Sequence, residues 1–545
     1  MKLEELFARE VLLWRYVRAL GVLLLLQVAV PMAVCNLYFT VIVQGVINPV
    51  TVITRLAASC VLPSKLVQVV VPMLCFILLA RVHIKSYTVH AWVPLSTWES
   101  WRRLFSVAVV SRSLMIVVAC GLLASFYASL AHPSFRLFAV PCSSQDIMCS
   151  NRKDIITSLG CCVGLQYAYR YFMEHGNVVI PAPVQPRKLQ RIKASLSVQR
   201  LREACNTHGA SKFSLCYSIM FSILVTGLFG RGSWQDLLQI FDLPLLTMML
   251  LSTVLLAITL FLFAQVFQIF VAEPIEVPLT SEEGSGSSEE DSWQLCHALS
   301  CSGLLQLLAF WDLKSLASSD PRNYHRRAQV FMISQPGGHP RNWLGIMNPS
   351  LNLIRKFAER LRRHNCPEEL PKAMPPKTAE MDVNKNEVVK PPPPTLRSRV
   401  IKLLLGLKRY QIFSYFLGEL PDAVNRSIFV EALPVIWAVQ ALGDLAAASF
   451  TEDKFGVVQR NIPDILMAFT QLQKVLDNMG RATITRRANT AGNNQLAVQL
   501  RKALKAALRS ALYTVTTTFG STVLEMQVSA ECQNKLRSYL EFKEG

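Results

Sequence analysis

Late in the 545-residue chain, "AAASFTEDKFGVVQ" (446–459) places two hydroxyls, two acids, a lysine and two phenylalanines close together. A carboxylate beside a hydroxyl and an amine is material for acid–base or nucleophilic chemistry, provided a second group is held within hydrogen-bond reach. Two other readings use the same letters. Ser449 and Glu452 fit the S-x-x-E spacing of a capping box, in which the serine opens a helix and the glutamate folds back onto it. Phe450 and Phe455 would then anchor an interhelical turn against the core, with Asp453 and Lys454 at the surface. Alternatively, Ser449, Phe450, Glu452, Asp453, Lys454 and Phe455 form a turn that meets a partner.

The other chemical candidates are thinner. A phosphate-binding loop needs a Gly-rich turn with Lys and Ser/Thr at fixed spacing, which the sequence lacks. His339, in "GGHPRNW", has no neighbouring acid or base to position it. Cys161 and Cys162 sit in an apolar run without histidine or acidic company, so they read as small buried residues rather than metal ligands. Cys142 and Cys149, in "PCSSQDIMC", lie in a loop on the non-cytosolic side, where they form either a disulfide or two free thiols. The expectation is therefore no catalytic residue, no cofactor and no metal.

What positions these residues is an apolar chain. Hydrophobic residues make up 51% and charged ones 17%, and the mean hydropathy is +0.31, which points away from an ordinary soluble protein. Crossing the hydrocarbon takes roughly 20 apolar residues as a helix. Six candidates fit within 1–272: 20–43, 61–80, 114–131, 155–172, 213–229 and 245–272. The third extends upstream if Arg112 can be accommodated, and the fourth is short and partly polar. The N-terminus carries acids and three arginines before its apolar run, unlike a cleaved signal peptide.

Basic residues set the orientation, since short cytoplasmic loops are rich in Lys and Arg. The loop after the second span holds Arg81, Lys85, Arg102 and Arg103, and the loop after the fourth holds Arg187, Lys188, Arg191, Lys193, Arg200 and Arg202. Both termini are thus expected in the cytosol, and the fourth span must be counted for the pattern to hold. Beyond it, 273–292 reads as a flexible acidic spacer, 293–363 as a first cytosolic helical segment, 364–396 as a Pro/Lys-rich linker and 397–545 as a C-terminal helical domain. A last helix near 523–542 carries Leu524, Val528, Cys532, Leu536 and Leu540 as a packing stripe. In "RSRVIKLLLGLKR", Arg397, Arg399, Lys402, Lys408 and Arg409 flank leucines, which suits a membrane-surface helix or the first core helix of that domain. The fold class is all-α: a polytopic membrane protein with six transmembrane helices and a cytosolic helical domain.

The strings "LAFWDLKSLA", "SQPGGHPRNW", "AAASFTEDKFGVVQ", "YTVTTTFG" and "LEFKE", in this order after six spans, resemble the Ndc-type transmembrane nucleoporins, pore-membrane proteins of the nuclear pore complex. The linker, Cys366 to Thr395, is shorter than in vertebrate members. The resemblance implies a non-enzymatic anchor of the pore scaffold in the nuclear envelope that supports pore assembly. Its cytosolic part would recruit other nucleoporins, among them the WD-repeat nucleoporin ALADIN and the inner-ring nucleoporin with an RNA-recognition-like domain. Its partners would be these and the lipid bilayer, with no direct nucleic acid. The alternative is a polytopic transporter or channel of the endoplasmic reticulum or nuclear envelope, with Gln68 and Gln265 as pathway residues. Interhelical hydrogen bonding accounts for the two glutamines more simply.

Overall fold

The structure is a computed structural model that describes, in its main blocks, residues 3–38, 63–131, 147–174, 176–179, 186–208, 243–279, 294–333, 338–365, 423–480 and 493–541. Among them Thr88 and Val178 form a parallel bridge, and the described residues are otherwise chiefly helix and connection. The chain divides into two compact units, one of residues 4–89 with 103–273, the other of residues 1–3, 90–102 and 274–545.

The first unit contains α1 (Leu13–Tyr38), α2 (Pro63–Ser86), α4 (Val107–Ala131), α5 (Ile147–Met173), α6 (Lys188–Ser195), α7 (Val198–His208) and α8 (Leu243–Val271), while α3 (Thr97–Leu104) falls on the boundary between the units. Five of the six expected spans fall on α1, α2, α4, α5 and α8; the expected 213–229 lies outside the described residues. α4 does extend upstream of 114, and Arg112 is accommodated because its guanidinium donates to Ser86 Oγ at the end of α2. By length and composition, α4, α8 and one helix of the second unit are apolar enough to cross a membrane.

α4 and α5 pack through small residues. A side chain at Gly160 would meet Ala124 Cβ at 2.6 Å and the Cys120 carbonyl at 2.7 Å, and one at Gly164 would meet Cys120 Cβ at 2.9 Å. Cys161 fills the complementary place opposite Gly121. Such close backbone approach is how helices associate where burial from water offers no drive. Polar links reinforce the bundle: Ser125 to Thr157 at 2.7 Å, Tyr127 to Thr259 at 2.9 Å, Tyr38 to Thr247 at 2.9 Å and His83 Nε2 to Tyr167 at 2.9 Å.

The second unit holds α9 (Leu295–Ser300), α10 (Gly303–Ala317), α11 (Tyr324–Val330), α12 (Arg341–Asn365), α13 (Ala423–Val430), α14 (Ala432–Glu452), α15 (Ile462–Gly480), α16 (Asn493–Phe519) and α17 (Ala530–Leu540). α14 is its axis. α16 crosses it where Gly443 lies against Ala511, and α10 packs on it through the stacked pair Trp311 and Trp437, 6.4 Å apart. Helices on either side of the expected linker therefore build one core. The expected spacer also begins later than its composition suggests, because Val277 and Leu279 are buried in this unit. The last helix starts only at Ala530, capped by Ser529, which accepts from Cys532 N–H; of the expected stripe, Cys532 and Leu536 are buried, together with Tyr539, while Leu524, Val528 and Leu540 are half-buried.

Residues 90–102 join this unit through Leu420 N–H, which donates to Leu95 O at 2.8 Å. Here His90 is held below its ordinary pKa of 6.5, chiefly by burial, with Glu431 opposing the shift and Arg360 adding to it. The unfolded chain then takes up a proton first, so the stability His90 supports is complete above about 6.5 and is lost as pH falls below it. The thermal midpoint of the unit should drop across that window, and His90→Gln should flatten the drop; an unchanged slope would detach His90 from the core.

Candidate functional site

The segment that opened the sequence reading lies where α14 ends. Its serine and glutamate do not cap a helix start. Ser449 is buried inside α14 and donates its hydroxyl back to the Ala446 carbonyl, the usual bond of a serine in a helix interior. α14 runs on to Glu452, which lies in its last turn. There the Glu452 carboxylate accepts both arms of the Arg327 guanidinium from α11, with Nε at 2.8 Å from Oε2. Arg327 also donates to the Ser318 carbonyl after α10. Both side chains are nearly enclosed, 7% and 14% exposed. The bond to Glu452 raises the Arg327 pKa still further.

The neighbouring arginine makes a second fork. Arg326 donates to Asp312 of α10 at 3.0 and 2.8 Å and to the Val277 carbonyl at 3.0 Å, while Asp312 also accepts from Val277 N–H at 3.0 Å. The short helix α11 thus joins "LAFWDLKSLA", through Asp312, to "AAASFTEDKFGVVQ", through Glu452. Trp343, which closes "SQPGGHPRNW", is buried and donates to Asn461 Oδ1 at 3.2 Å, just past the same segment. Sequence reading missed both arginines. The available signal was Asp312, a lone acid inside an apolar helix, which burial requires to be paired.

The turn itself is built by Asp453, whose carboxylate accepts from Phe455 N–H at 3.1 Å and Val458 N–H at 2.9 Å. Gly456 has φ +65°, a left-handed conformation that favours glycine. Phe455 lies on this turn and Phe450 on the last turn of α14. Phe450 is 60% and Phe455 65% exposed, contrary to the expected anchoring in the core; Phe450 meets Phe519 edge-on, with ring centres 5.5 Å apart. Lys454 is exposed beside them, as expected. The asparagine–aspartate type of turn needs no packing anchor, because its backbone donors are satisfied by Asp453.

Other sequence candidates are placed more simply. His339 is exposed in the turn before α12. Cys161 and Cys162 are half-buried within α5. Cys142, Arg397, Arg399, Lys402, Lys408 and Arg409 lie outside the described residues, as do the side chains of Cys149 and Gln68. Among the described residues, no three His, Cys, Asp or Glu side chains come together as a metal site.

A helical chain with helices long and apolar enough to span a bilayer, and a second compact helical unit, defines a helical membrane protein. The family model described as "Nucleoporin protein Ndc1-Nup" matches residues 10–400 and 378–537, and the chain belongs to that family. Among curated relatives, Nucleoporin NDC1 of Homo sapiens is 28% identical over 352 residues, 44% of this chain and 52% of the human protein. Nucleoporin NDC1 of Xenopus laevis is 22% identical over 555 residues, 78% of this chain and 83% of that protein. Nucleoporin ndc-1 of Caenorhabditis elegans is 25% identical over 371 residues, 63% of this chain and 59% of the relative. The match thus spans about half the length of the human relative. By family, the chain is a nucleoporin.

Proposed function

We propose that this chain anchors the nuclear pore scaffold in the nuclear envelope and supports pore assembly by recruiting soluble nucleoporins. Six helices cross the membrane, both termini face the cytosolic, pore side, and the second unit lies on that side. The placement of 90–102 supports this topology. That loop follows the second span and belongs to the same compact unit as 274–545, so both lie on one face of the membrane, the face richest in basic loops. α14 is apolar enough to span, but α10, α12 and α16 enclose it, and Asp444 within it faces Lys314 and Arg327. It is a core helix on this reading.

The observation that supports the recruiting role is the exposure of Phe450, at the end of α14, and of Phe455, on the turn that follows, where a buried ion pair and two hydrogen bonds to the Asp453 carboxylate fix the chain. Aromatic side chains held rigidly at the surface are typical anchors of protein interfaces. The partners we assign are other nucleoporins, including the WD-repeat nucleoporin ALADIN and the inner-ring nucleoporin with an RNA-recognition-like domain. In full-length protein, Phe450→Ser with Phe455→Ser should cut co-purification of these partners at least about tenfold, the loss of a single hot-spot aromatic. Stability should stay within about 0.5 kcal/mol, as for exposed positions, and Lys454→Glu should weaken binding in the same direction. Undiminished partner recovery from the double variant would remove the turn from the interface. Even spread through the endoplasmic reticulum, with no nucleoporin recovered, would overturn the anchoring role itself.

A further inference from the structure

The basic hairpin of α6 and α7 has a place in the fold that the anchoring role does not use. Leu196, at its bend, and Leu201 pack against Phe261 and Leu262 of α8. Lys188, at its start, pairs with Glu273 just beyond α8 and lies 6.0 Å from the Phe270 ring. The outer side carries Leu189 and Val198, 80% and 82% exposed, among the exposed cations Arg187, Lys193, Arg200 and Arg202.

Depth follows from helix length. α8 has 29 residues, about 43 Å at 1.5 Å per residue, which exceeds a hydrocarbon core of about 30 Å by roughly 13 Å. Leu262 lies nine residues before Val271, the end of α8, or about 13 Å along the axis. Even if the whole excess projected at that end, Leu262 would sit at the hydrocarbon boundary. Any other placement, or any tilt, puts it deeper. A hairpin seated on Phe261 and Leu262 is therefore at the headgroup level or below it.

We infer that α6 and α7 form an in-plane amphipathic hairpin whose exposed leucine and valine enter the cytosolic leaflet and whose cations hold anionic phospholipid headgroups. This rests on α8 spanning the membrane with its C-terminal end on the cytosolic side. Apolar side chains interleaved with Lys and Arg are the composition of interfacial helices, and the cytosolic leaflet supplies the negative charge. Nucleic acid would use the cations but would leave Leu189 and Val198 without a role.

The test uses full-length protein in nanodiscs of phosphatidylcholine, with and without phosphatidylserine, read by hydrogen exchange. Phosphatidylserine should slow exchange across 187–203 at least about fivefold, the factor one basic side chain near an anionic surface contributes. The variant Arg187→Gln, Lys193→Gln, Arg200→Gln and Arg202→Gln should lose that slowing, and benzoylphenylalanine in place of Val198 should cross-link to lipid. Equal exchange in both lipids, with α8 still protected, overturns the hairpin assignment while leaving the span intact. An α8 unprotected in either lipid overturns the membrane reading beneath it. Slowing of 187–203 by an oligonucleotide in neutral discs, matching that by phosphatidylserine, makes the surface a nucleic-acid site and also overturns the inference.

Discussion

Glu452→Ala should destabilise the second unit by about 3–5 kcal/mol, the usual consequence of removing one partner from a buried ion pair. Arg327 is left with a guanidinium that is 7% exposed and has lost both carboxylate oxygens. Solvation cannot replace them at that burial, so the cost is that of an uncompensated charge rather than of a missing contact. A capping glutamate, the reading the S-x-x-E letters invite, would contribute only about 1 kcal/mol, which makes the magnitude itself decisive. Removing both charges with Arg327→Leu and Glu452→Leu should recover much of the loss, because no charge is then stranded. Thermal melting of the purified full-length protein, followed by intrinsic fluorescence, measures all three variants. A loss of 1 kcal/mol or less for Glu452→Ala would reduce the pair to a surface contact.

The same four letters show where local sequence is informative and where it stops. At Ser96–Glu99 the S-x-x-E pattern does cap a helix: Ser96 Oγ accepts from Glu99 N–H at 3.2 Å, and Glu99 accepts from Leu95 N–H at 2.7 Å, at the start of α3. At Ser449–Glu452 the identical pattern lies inside α14, and Glu452 turns to an arginine 125 positions away. Spacing fixes what two residues can do for one another, but not whether a distant cation offers more. The apolar helices were legible because twenty residues without charge admit few alternatives in water or lipid. The union of α10 and α12 with α14 was not, since a Pro- and Lys-rich linker between them reads as a boundary while their apolar faces carry no label of their mates. Phe450 and Phe455 were misplaced for a related reason. Hydrophobicity predicts burial on average, whereas Phe455 is presented by the turn that Asp453 and the left-handed Gly456 build, and Phe450 by the face of α14 on which it falls.

The weakest span by composition can be tested by its packing. Gly160→Leu should drive α5 off α4, because the added side chain would fall 2.6 Å from Ala124 Cβ and 2.7 Å from the Cys120 carbonyl. Part of that obstruction is backbone, so rotating a neighbouring side chain cannot relieve it, and overpacking of this kind costs typically about 1–3 kcal/mol. The helices that remain would also lose the Ser125 to Thr157 hydrogen bond, which the close approach permits. Gly21→Leu is the matched control, since an added Cβ there meets nothing within 4 Å. Substituting cysteines for Ser125 and Thr157 gives the readout: oxidative cross-linking should proceed in the parent and in Gly21→Leu, and fall sharply in Gly160→Leu. Cross-linking that survives Gly160→Leu would mean that α4 and α5 are not held by their small residues. If it falls as expected, partly polar α5 keeps its place because its glycines and cysteines fit a more apolar neighbour. A hydropathy scan of α5 alone measures its preference for lipid, not its fit to α4, and so reads the helix as weaker than it is.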